Sequence, residues 1–371
     1  MRARLGDIAT YINGYAFKPS DWSNEGRPII RIQDLTGNSY QANRFSGEVD
    51  KKYNVSDGDV LISWSASLGV YVWKGEDAVL NQHIFKVVFD KAEVNKSFFI
   101  HQVENILENA GNEAHGAIMK HLTKSVFDAL PFYLPSMVEQ NKIAERLDMV
   151  SRLIALKNDQ LDFLDQLVKS RFVEMFGNPV HNSNGLPTKK LSEVGSLERG
   201  RSQHRPRNAP ELLNGPYPLI QTGEVASSGL YIKEYHNTYS EAGLQQSKMW
   251  QAGTLCITIA ANIAQTSILT FDACFPDSVV GFIPYHDVDV IYMHYWFGFF
   301  QKILEEQAPQ VAQKNINLKI LSELDVMVPP LSFQSQFASF VQAVDREKER
   351  VNESLEELET LKKALMQEYF G

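Results

Sequence analysis

The sequence predicts an α+β fold in which two copies of one module stand in tandem, each a globular part followed by a long helix. The two helices are predicted to pack as a coiled coil. Three observations indicate this: an internal repeat, two helices with heptad spacing, and short strands bounded by turn residues in both halves. The 371 residues, 44% hydrophobic and 22% charged, suffice for two or three domains with ordinary cores.

The repeat is clearest at the end of each half. Residues 120–177 align with residues 314–371 without gaps at an offset of 194, so that Gln140 pairs with Gln334 and Phe176 with Phe370. A period of this length excludes solenoids and propellers. We therefore predict a first domain over residues 1–136, a helix over 137–177, a second domain over 178–331 and a second helix over 332–371.

Each long helix carries hydrophobic residues in alternating steps of three and four, the spacing of a coiled-coil seam. They are Ile143, Leu147, Val150, Ile154, Leu161 and Leu164 in the first helix, and Val341, Val344, Val351, Leu355 and Leu358 in the second. A helix of roughly 35 residues spans about 50 Å, which is long for a helix that covers only its own domain. Two amphipathic helices, each packed on its own domain, are the alternative.

The globular parts are predicted to be mixed sheet. Strands are expected at residues 28–33, 59–64 and 79–90 in the first half, and at 217–221, 254–260 and 278–284 in the second. Helices are expected near residues 96–110 and 290–307. The polar stretch of Gly, Pro and Asn at residues 177–185 is typical of a linker.

Composition limits the classes of partner and compartment. The net charge of −9 excludes a generally cationic surface, so any DNA binding must come from a local basic face. The sequence has no apolar run long enough to cross a membrane and no apolar segment typical of a secretory signal near its start. With only two cysteines, a reduced cytoplasmic protein is the expectation.

The strongest local basic signal lies in the second half. Four arginines fall within nine residues around Gly and Pro, and we take this loop as a candidate DNA contact: Arg199, Arg201, His204, Arg205 and Arg207. An ordinary solvated loop is the alternative. The corresponding place in the first half offers Tyr15 and Lys18, whereas Phe17 is expected in the core.

Three further sets of side chains suit base edges or phosphates, with ordinary loop polarity or core packing as the alternative. The first is the amide-rich loop of Gln310, Gln313, Lys314 and Asn315, with its repeat counterparts His115, Lys120 and His121. The second is Ser63, Ser65 and Asn81, near a tryptophan that could instead close the core. The third is Arg31 and Gln33 on a predicted strand, with Gln221 in the corresponding place.

Sequence patterns of catalysis are missing. The chain has no Asn/Asp-Pro-Pro-aromatic tetrad for amino methylation, no phosphate-binding Gly-rich loop, no His-Glu-x-x-His and no Gly-x-Ser-x-Gly. Cys256 and Cys274 stand without neighbouring ligands and are expected to be small core residues. A non-enzymatic role with no catalytic residue and no metal site agrees with these absences.

Over essentially its whole length the chain resembles the DNA-specificity subunits of Type I restriction-modification systems. The entry to the first helix carries that family's pattern in Leu134-Pro135, Glu139-Gln140 and Ile143-Ala144, although the second copy has no Glu before Gln334. Each domain of the family opens with a Leu-Gly/Ser-acid-hydrophobic turn, here residues 5–8 and 191–194. The strands at residues 31–35 and 58–63 also match, and their counterparts in the second half have diverged.

The resemblance implies two target-recognition domains held by an antiparallel coiled coil, each reading half of a split double-stranded DNA site. It implies two methyltransferase subunits that use S-adenosylmethionine, and restriction subunits that use ATP and magnesium, whereas this chain itself would hold no cofactor. It also implies a cytoplasmic prokaryotic protein. Two alternatives stay open: the recognition subunit of another two-part restriction-methylation enzyme, and a coiled-coil adaptor that binds protein.

Overall fold

The computed structural model describes residues 2–37, 43–65, 67–113, 123–204, 206–207, 209–260, 263–300, 303 and 316–371. The chain divides into two compact units. The first unit is Met1–Asn158 with Glu353–Gly371, and the second unit is Asp159–Asn352. In the part of the chain that is described, no helix is long and apolar enough to cross a membrane. The division at residues 136, 177 and 331 stays a prediction.

The elements of the first unit alternate short strands with helices. The strands are β1 (Arg2–Arg4), β2 (Thr10–Asn13), β3 (Arg27–Ile30), β4 (Arg44–Phe45), β5 (Asn54–Val55), β6 (Val60–Ser63), β7 (Gly69–Val72), β8 (Ala78–Leu80), β9 (Ile84–Val88) and β10 (Pro131–Tyr133). The helices are α1 (Leu5–Ile8), α2 (Ile32–Leu35), α3 (Lys96–Glu113), α4 (Lys124–Ala129) and α5 (Met137–Phe176). Single 3-10 turns occupy Pro19–Asp21 and Lys51–Tyr53.

Two four-stranded sheets form the first unit, ordered β2-β9-β6-β7 and β4-β3-β8-β5, with β1 and β10 as a separate pair. Strand β6 is buried along its whole length, which suits its Val-Leu-Ile sequence. Gly58 adopts φ +85° in the turn that precedes it. The core beside these strands is rich in Phe, and α5 contributes Ile143 and Leu147 to it.

The second unit has elements in a matching sequence. Its strands are β11 (Thr188–Lys190), β12 (Gly195–Arg199), β13 (Leu213–Leu219), β14 (Tyr231–Ile232), β15 (Asn237–Tyr239), β16 (Met249–Trp250), β17 (Leu255–Thr258), β18 (Thr266–Leu269), β19 (Ala273–Cys274), β20 (Val279–Pro284) and β21 (Asp325–Met327). Its helices are α6 (Leu191–Val194), α7 (Thr222–Ser227), α8 (Glu241–Gln245), α9 (Val290–Phe297), α10 (Leu318–Ser322) and α11 (Leu331–Phe370), with a 3-10 turn at Pro210–Leu212.

The sheets of the second unit are β12-β20-β17-β18-β14, β15-β13-β19-β16 and the pair β11-β21, so the strand order of the first unit recurs with β14 added at one edge. In both units the central pair of one four-stranded sheet is parallel, β3 with β8 and β13 with β19. The added strand β14 also pairs in parallel, with β18. The predicted α+β fold with two tandem modules is confirmed.

Both long helices use the predicted seam. Val150, Val341, Val344 and Val351 are buried, as are Ile143 and Leu147, whereas Ile154, Leu161, Leu164, Leu355 and Leu358 are half-buried. In the second unit the rings of Phe172 and Phe337 lie 5.4 Å apart, and Lys348 forms an ion pair with Asp165. Residue numbers therefore rise along one helix as they fall along the other, which confirms the antiparallel pairing.

A buried glutamine fastens the start of each long helix to its own unit. In the first unit the side-chain oxygen of Gln140 accepts from the backbone N–H of Asn95 at 2.9 Å, and its amide donates to the carbonyl of Pro135 at 3.0 Å. Gln334 in the second unit accepts from the N–H of Asp289 at 2.9 Å and donates to the carbonyl of Pro329 at 2.8 Å. These matched contacts explain why glutamine stands at both positions of the repeat.

Two predicted strands end earlier than expected. Strand β3 ends at Ile30, so the prediction that Arg31 and Gln33 lie on a strand is wrong; Arg31 caps helix α2, where its backbone N–H donates to Asp34 at 2.8 Å. Strand β13 ends at Leu219, and Gln221 caps helix α7 through Glu224 at 3.1 Å. A carboxylate three residues after the cap accounts for both turns.

Other predicted elements differ in extent. Residues 79–90 form two strands, β8 and β9, separated by a turn in which His83 adopts φ +73°. In the region expected to be helical over residues 290–307, α9 ends at Phe297, and residues 301–302 and 304–307 lie outside the described residues. The helix expected at residues 96–110 is α3 and extends to Glu113.

Replacing Gln140 with Met tests the glutamine contact. The two side chains have similar volume, but Met leaves the N–H of Asn95 and the carbonyl of Pro135 without their partner. We expect a loss of about 1–3 kcal/mol in the free energy of unfolding. Urea unfolding followed by circular dichroism measures it. Gln166→Met, at an exposed position of the same helix, is the control, and an equal effect of both variants would contradict the assignment.

Candidate nucleic-acid interface

The candidate loop of the first unit is anchored through its backbone where β2 ends. The N–H of Gly14 donates to the carbonyl of Ile84 at 3.1 Å, and that of Tyr15 donates to the carbonyl of Leu80 at 2.8 Å. The carbonyl of Tyr15 then accepts from the N–H of Gln82 at 2.9 Å. The loop is thereby held against the turn between β8 and β9, and the Tyr15 side chain remains 40% exposed.

The arginine loop of the second unit is anchored in the same way where β12 ends. The N–H of Gly200 donates to the carbonyl of Val279 at 2.8 Å, and that of Arg201 donates to the carbonyl of Phe275 at 3.1 Å. The acceptors flank the turn between β19 and β20, which corresponds to the turn between β8 and β9. Tyr15 and Arg201 therefore occupy the same position of the repeated fold.

Both anchors require glycine. A Cβ atom on Gly14 would lie 2.0 Å from the carbonyl oxygen of Asn81. A Cβ atom on Gly200 would lie 2.3 Å from the carbonyl oxygens of both Phe275 and Pro276. Such distances leave no room for a side chain, so the close approach of loop to turn selects glycine, and the residue after it is placed at the surface.

Asp277 and Gln246 brace the arginine loop. The guanidinium of Arg199 donates to the backbone carbonyl of Asp277 at 2.9 and 2.6 Å, and Arg207 forms an ion pair with the Asp277 carboxylate. The side-chain oxygen of Gln246 accepts from the backbone N–H groups of Gln203 and His204 at 2.7 and 3.0 Å. Arg199, Arg201 and Arg207 remain exposed, so the described part of the loop presents three guanidinium groups at the surface.

The remaining candidates of the first unit differ in exposure. Lys18 and Gln33 are exposed, whereas Arg31 is largely covered, 3.5 Å from the Asp34 carboxylate. Ser63 and Ser65 are buried, and the Ser63 hydroxyl donates to the carbonyl of Ser67. Burial of both serines agrees with core packing, the alternative that the sequence left open.

Other candidates lie at the ends of strands and helices. Asn81 is half-buried in the turn after β8, and Gln221 is exposed at the start of α7. His204 is exposed, and its Nδ1 lies 3.2 Å from the carbonyl of Pro206. Eight candidates lie outside the described residues: His115, Lys120, His121, Arg205, Gln310, Gln313, Lys314 and Asn315. That any of these candidate side chains contacts DNA stays a prediction.

The first unit also has a cluster of rings around Tyr15 that the sequence did not indicate. We define the aromatic surface as Tyr15, Phe17, Phe45 and Tyr53. The ring of Tyr15 lies 4.9 Å from Phe17 and 5.6 Å from Tyr53, and Phe17 lies 5.0 Å from Phe45. Phe17, which was expected in the core, is half-exposed, as are Phe45 and Tyr53.

Buried titratable groups of the second unit serve packing. Burial raises the pKa of the Cys256 thiol, so both its reactivity and its metal affinity are low. Burial lowers the pKa of His294 to about 4, and its Nδ1 lies 3.0 Å from the hydroxyl of Thr266. Among the described residues, no group of three or more His, Cys, Asp or Glu side chains is arranged to hold a metal ion.

Comparison with known proteins shows which family has this architecture. The family model of the Type I restriction modification DNA specificity domain matches residues 1–166 and 185–360. The specificity subunit of the Type I restriction enzyme EcoBI of Escherichia coli is 24% identical over 408 aligned positions, which cover 100% of this chain and 85% of that subunit.

Solved structures show the same fold. The S subunit of a Type I restriction-modification system from M. genitalium has a TM-score of 0.56 at 14% identity, over 100% of this chain and 96% of that one. A chain from a study of complex assembly and conformational transition in a type I R-M system has a TM-score of 0.58 at 16% identity, over 100% and 97%.

Replacing Gly200 with Ala tests the anchor of the arginine loop. The added methyl group would contact two backbone carbonyl oxygens and displace the loop, at a cost of about 1–3 kcal/mol in the free energy of unfolding. Urea unfolding measures the loss. Gly223→Ala in helix α7 is the control because no atom lies within 4 Å of its Cβ position, and there alanine is expected to stabilise the helix. Equal stability of Gly200→Ala and the native protein would contradict the anchor.

Proposed function

This chain belongs to the family of the Type I restriction modification DNA specificity domain, and we propose that it is the DNA-recognition subunit of a Type I restriction-modification enzyme. The observation that carries this proposal is the repeated loop position. One backbone arrangement presents Tyr15 in the first unit and Arg201 in the second. Two units that share one backbone arrangement but expose different side chains suit the recognition of two different DNA sequences.

We infer that each unit reads one half of a split double-stranded site. The backbone anchors at Gly14 and Gly200 fix the loops, and the side chains beyond them are free to differ. The exposed cations of the arginine loop suit phosphates and guanine edges. Joining two weak modules in one chain raises the affinity of the whole, because the second binding step becomes intramolecular.

The chemistry of such an enzyme belongs to its partners. We propose that this chain binds two methyltransferase subunits, which use S-adenosylmethionine to methylate adenine N6, and that restriction subunits with ATP and magnesium join them. The target base must leave the duplex to be methylated, and the pocket that receives it would lie in a methyltransferase.

The first long helix offers a surface for such a partner. Apolar side chains are exposed on it in steps of four, three, seven and four residues: Met149, Leu153, Leu156, Phe163 and Leu167. Each lies one residue before a position of the coiled-coil seam, so the exposed stripe runs beside the seam. The same positions of the second helix carry Ala343, Glu347, Arg350, Glu357 and Leu361. We propose that this stripe docks a helix of a methyltransferase subunit.

A map of adenine methylation tests the recognition role. It would be made on DNA from cells that express this chain with its cognate methyltransferase subunits. We expect methylation at one split motif with a fixed gap, lost when this chain is deleted. A map unchanged by the deletion, with the methyltransferase still expressed, would contradict the role and favour the adaptor alternative.

Phe163→Asp tests the docking stripe. Phe163 is 68% exposed, so the free chain should fold normally, while a charge in an apolar interface should weaken the binding of one of the two methyltransferase subunits at least tenfold. Titration calorimetry of the two purified subunits measures this. Gln166→Asp places the same charge at another exposed position of the helix and should bind normally. If Phe163→Asp binds as tightly as this control, the stripe is not the docking surface.

A further inference from the structure

The two units present different chemistry at the same position of their fold. In the first unit, Tyr15 is the exposed member of the aromatic surface, whose rings lie within 6 Å of their neighbours. In the second unit the segment from Arg199 to Arg207 contains no Phe, Tyr or Trp and four arginines. The loops share their anchors, and beyond these they differ in side chains and in length, since the next 3-10 turn begins at Pro19 in the first unit and at Pro210 in the second.

Three cations near the aromatic surface are paired with carboxylates of the same unit. One is Lys52, whose ammonium lies 4.9 Å from the centre of the Tyr53 ring and 3.2 Å from the Asp50 carboxylate. Arg31 is paired with Asp34, and Arg44 with Glu76. Phosphate neutralisation by these groups would first require a carboxylate to be displaced.

The arginine loop has no carboxylates within its own sequence. Between Arg199 and Arg207 the sequence has no Asp or Glu. Asp277 braces the loop, as its backbone carbonyl binds Arg199 and its carboxylate pairs with Arg207. The loop thus carries four arginines and no acidic residue of its own. This loop is therefore the stronger candidate for releasing counterions from DNA, the process that makes binding depend on salt.

Resting on the recognition role proposed above, we propose that the two half-sites are read by different chemistry. The aromatic surface of the first unit reads thymine, through contact of the Tyr15 ring with the C5-methyl group in the major groove. The arginine loop of the second unit contacts phosphates and guanine, and supplies the larger part of the salt dependence. An apolar side chain against the thymine methyl is an established form of base readout, as is arginine against guanine.

Deoxyuridine tests the first half of this proposal because it lacks only the methyl group. The complex of this chain with its methyltransferase subunits is titrated with duplexes that carry the methylated split motif. Thymines are replaced by deoxyuridine in one half-site at a time. We expect the replacement to weaken binding about fourfold per contacted methyl in one half-site, and to leave binding through the other half-site unchanged.

Variants of Tyr15 and Arg201 connect that effect to the residues. Tyr15→Ala should bind thymine and deoxyuridine duplexes equally, because the ring that contacts the methyl is gone. Tyr15→Phe keeps the ring and should retain the native preference, which makes it the matched control. Arg201→Ala should keep the preference for thymine but lower the slope of log affinity against log salt by about 1, whereas Tyr15→Ala should leave that slope unchanged.

The outcomes separate this inference from the recognition role. Site-specific binding without any effect of deoxyuridine, or an equal loss of slope in Tyr15→Ala and Arg201→Ala, would overturn the inference and leave the role intact. Absence of site-specific binding by the native complex would overturn the role itself. The deoxyuridine measurement uses the native chain, so it stands even where a variant folds poorly.

Discussion

The rest of the structure depends on one constraint: each unit closes its core with both long helices. In the second unit the core takes Phe172 from the end of the first helix and Phe337 from the start of the second, with their rings 5.4 Å apart. In the first unit it takes Leu147 from the start of the first helix and Met366 from the end of the second. Burial of these seams is worth several kcal/mol per unit at about 1.5–3 kcal/mol for each large side chain. Neither unit therefore has a complete core without a segment from the other end of the chain.

Features that repeat along the chain could be predicted from the sequence, because periodicity is a one-dimensional signal. The offset of 194 and the heptad seam both led to the correct fold. The ends of β3 and β13 could not be predicted from apolar runs, because a helix begins directly after each strand. The backbone N–H of Arg31 donates to Asp34, and that of Gln221 donates to Glu224, which fixes these helix starts. The glutamines at 140 and 334 could be recognised as a repeated pair. Their partners could not, because Asn95 and Asp289 lie far away in sequence, just before helices α3 and α9.

The candidate interface also has features that the sequence reveals and features that only the fold reveals. Four arginines close together in sequence reveal a basic loop whatever the fold is. The aromatic surface draws on Phe17, Phe45 and Tyr53 from separate segments, which only tertiary pairing brings to Tyr15. The internal hydrogen bond of the Ser63 hydroxyl to the Ser67 carbonyl could likewise not be predicted from the sequence, because it depends on the local fold after β6. Glycine at positions 14 and 200 has a clear physical reason only when the carbonyl oxygens opposite it are known.

An acidic chain in a DNA-binding role is consistent with how its cations are held. Because Arg207 pairs with Asp277, a phosphate that binds this guanidinium must displace a carboxylate and not only water. The binding free energy gained from an arbitrary phosphate is therefore small. The same reasoning applies to Arg44 beside Glu76. Affinity for arbitrary DNA, which is almost entirely electrostatic, then falls more than affinity for the site, where contacts with base edges are added. If these arginines contact DNA as proposed, the carboxylates beside them raise the ratio of specific to non-specific binding, the quantity on which a recognition subunit depends when competing sequences are in large excess.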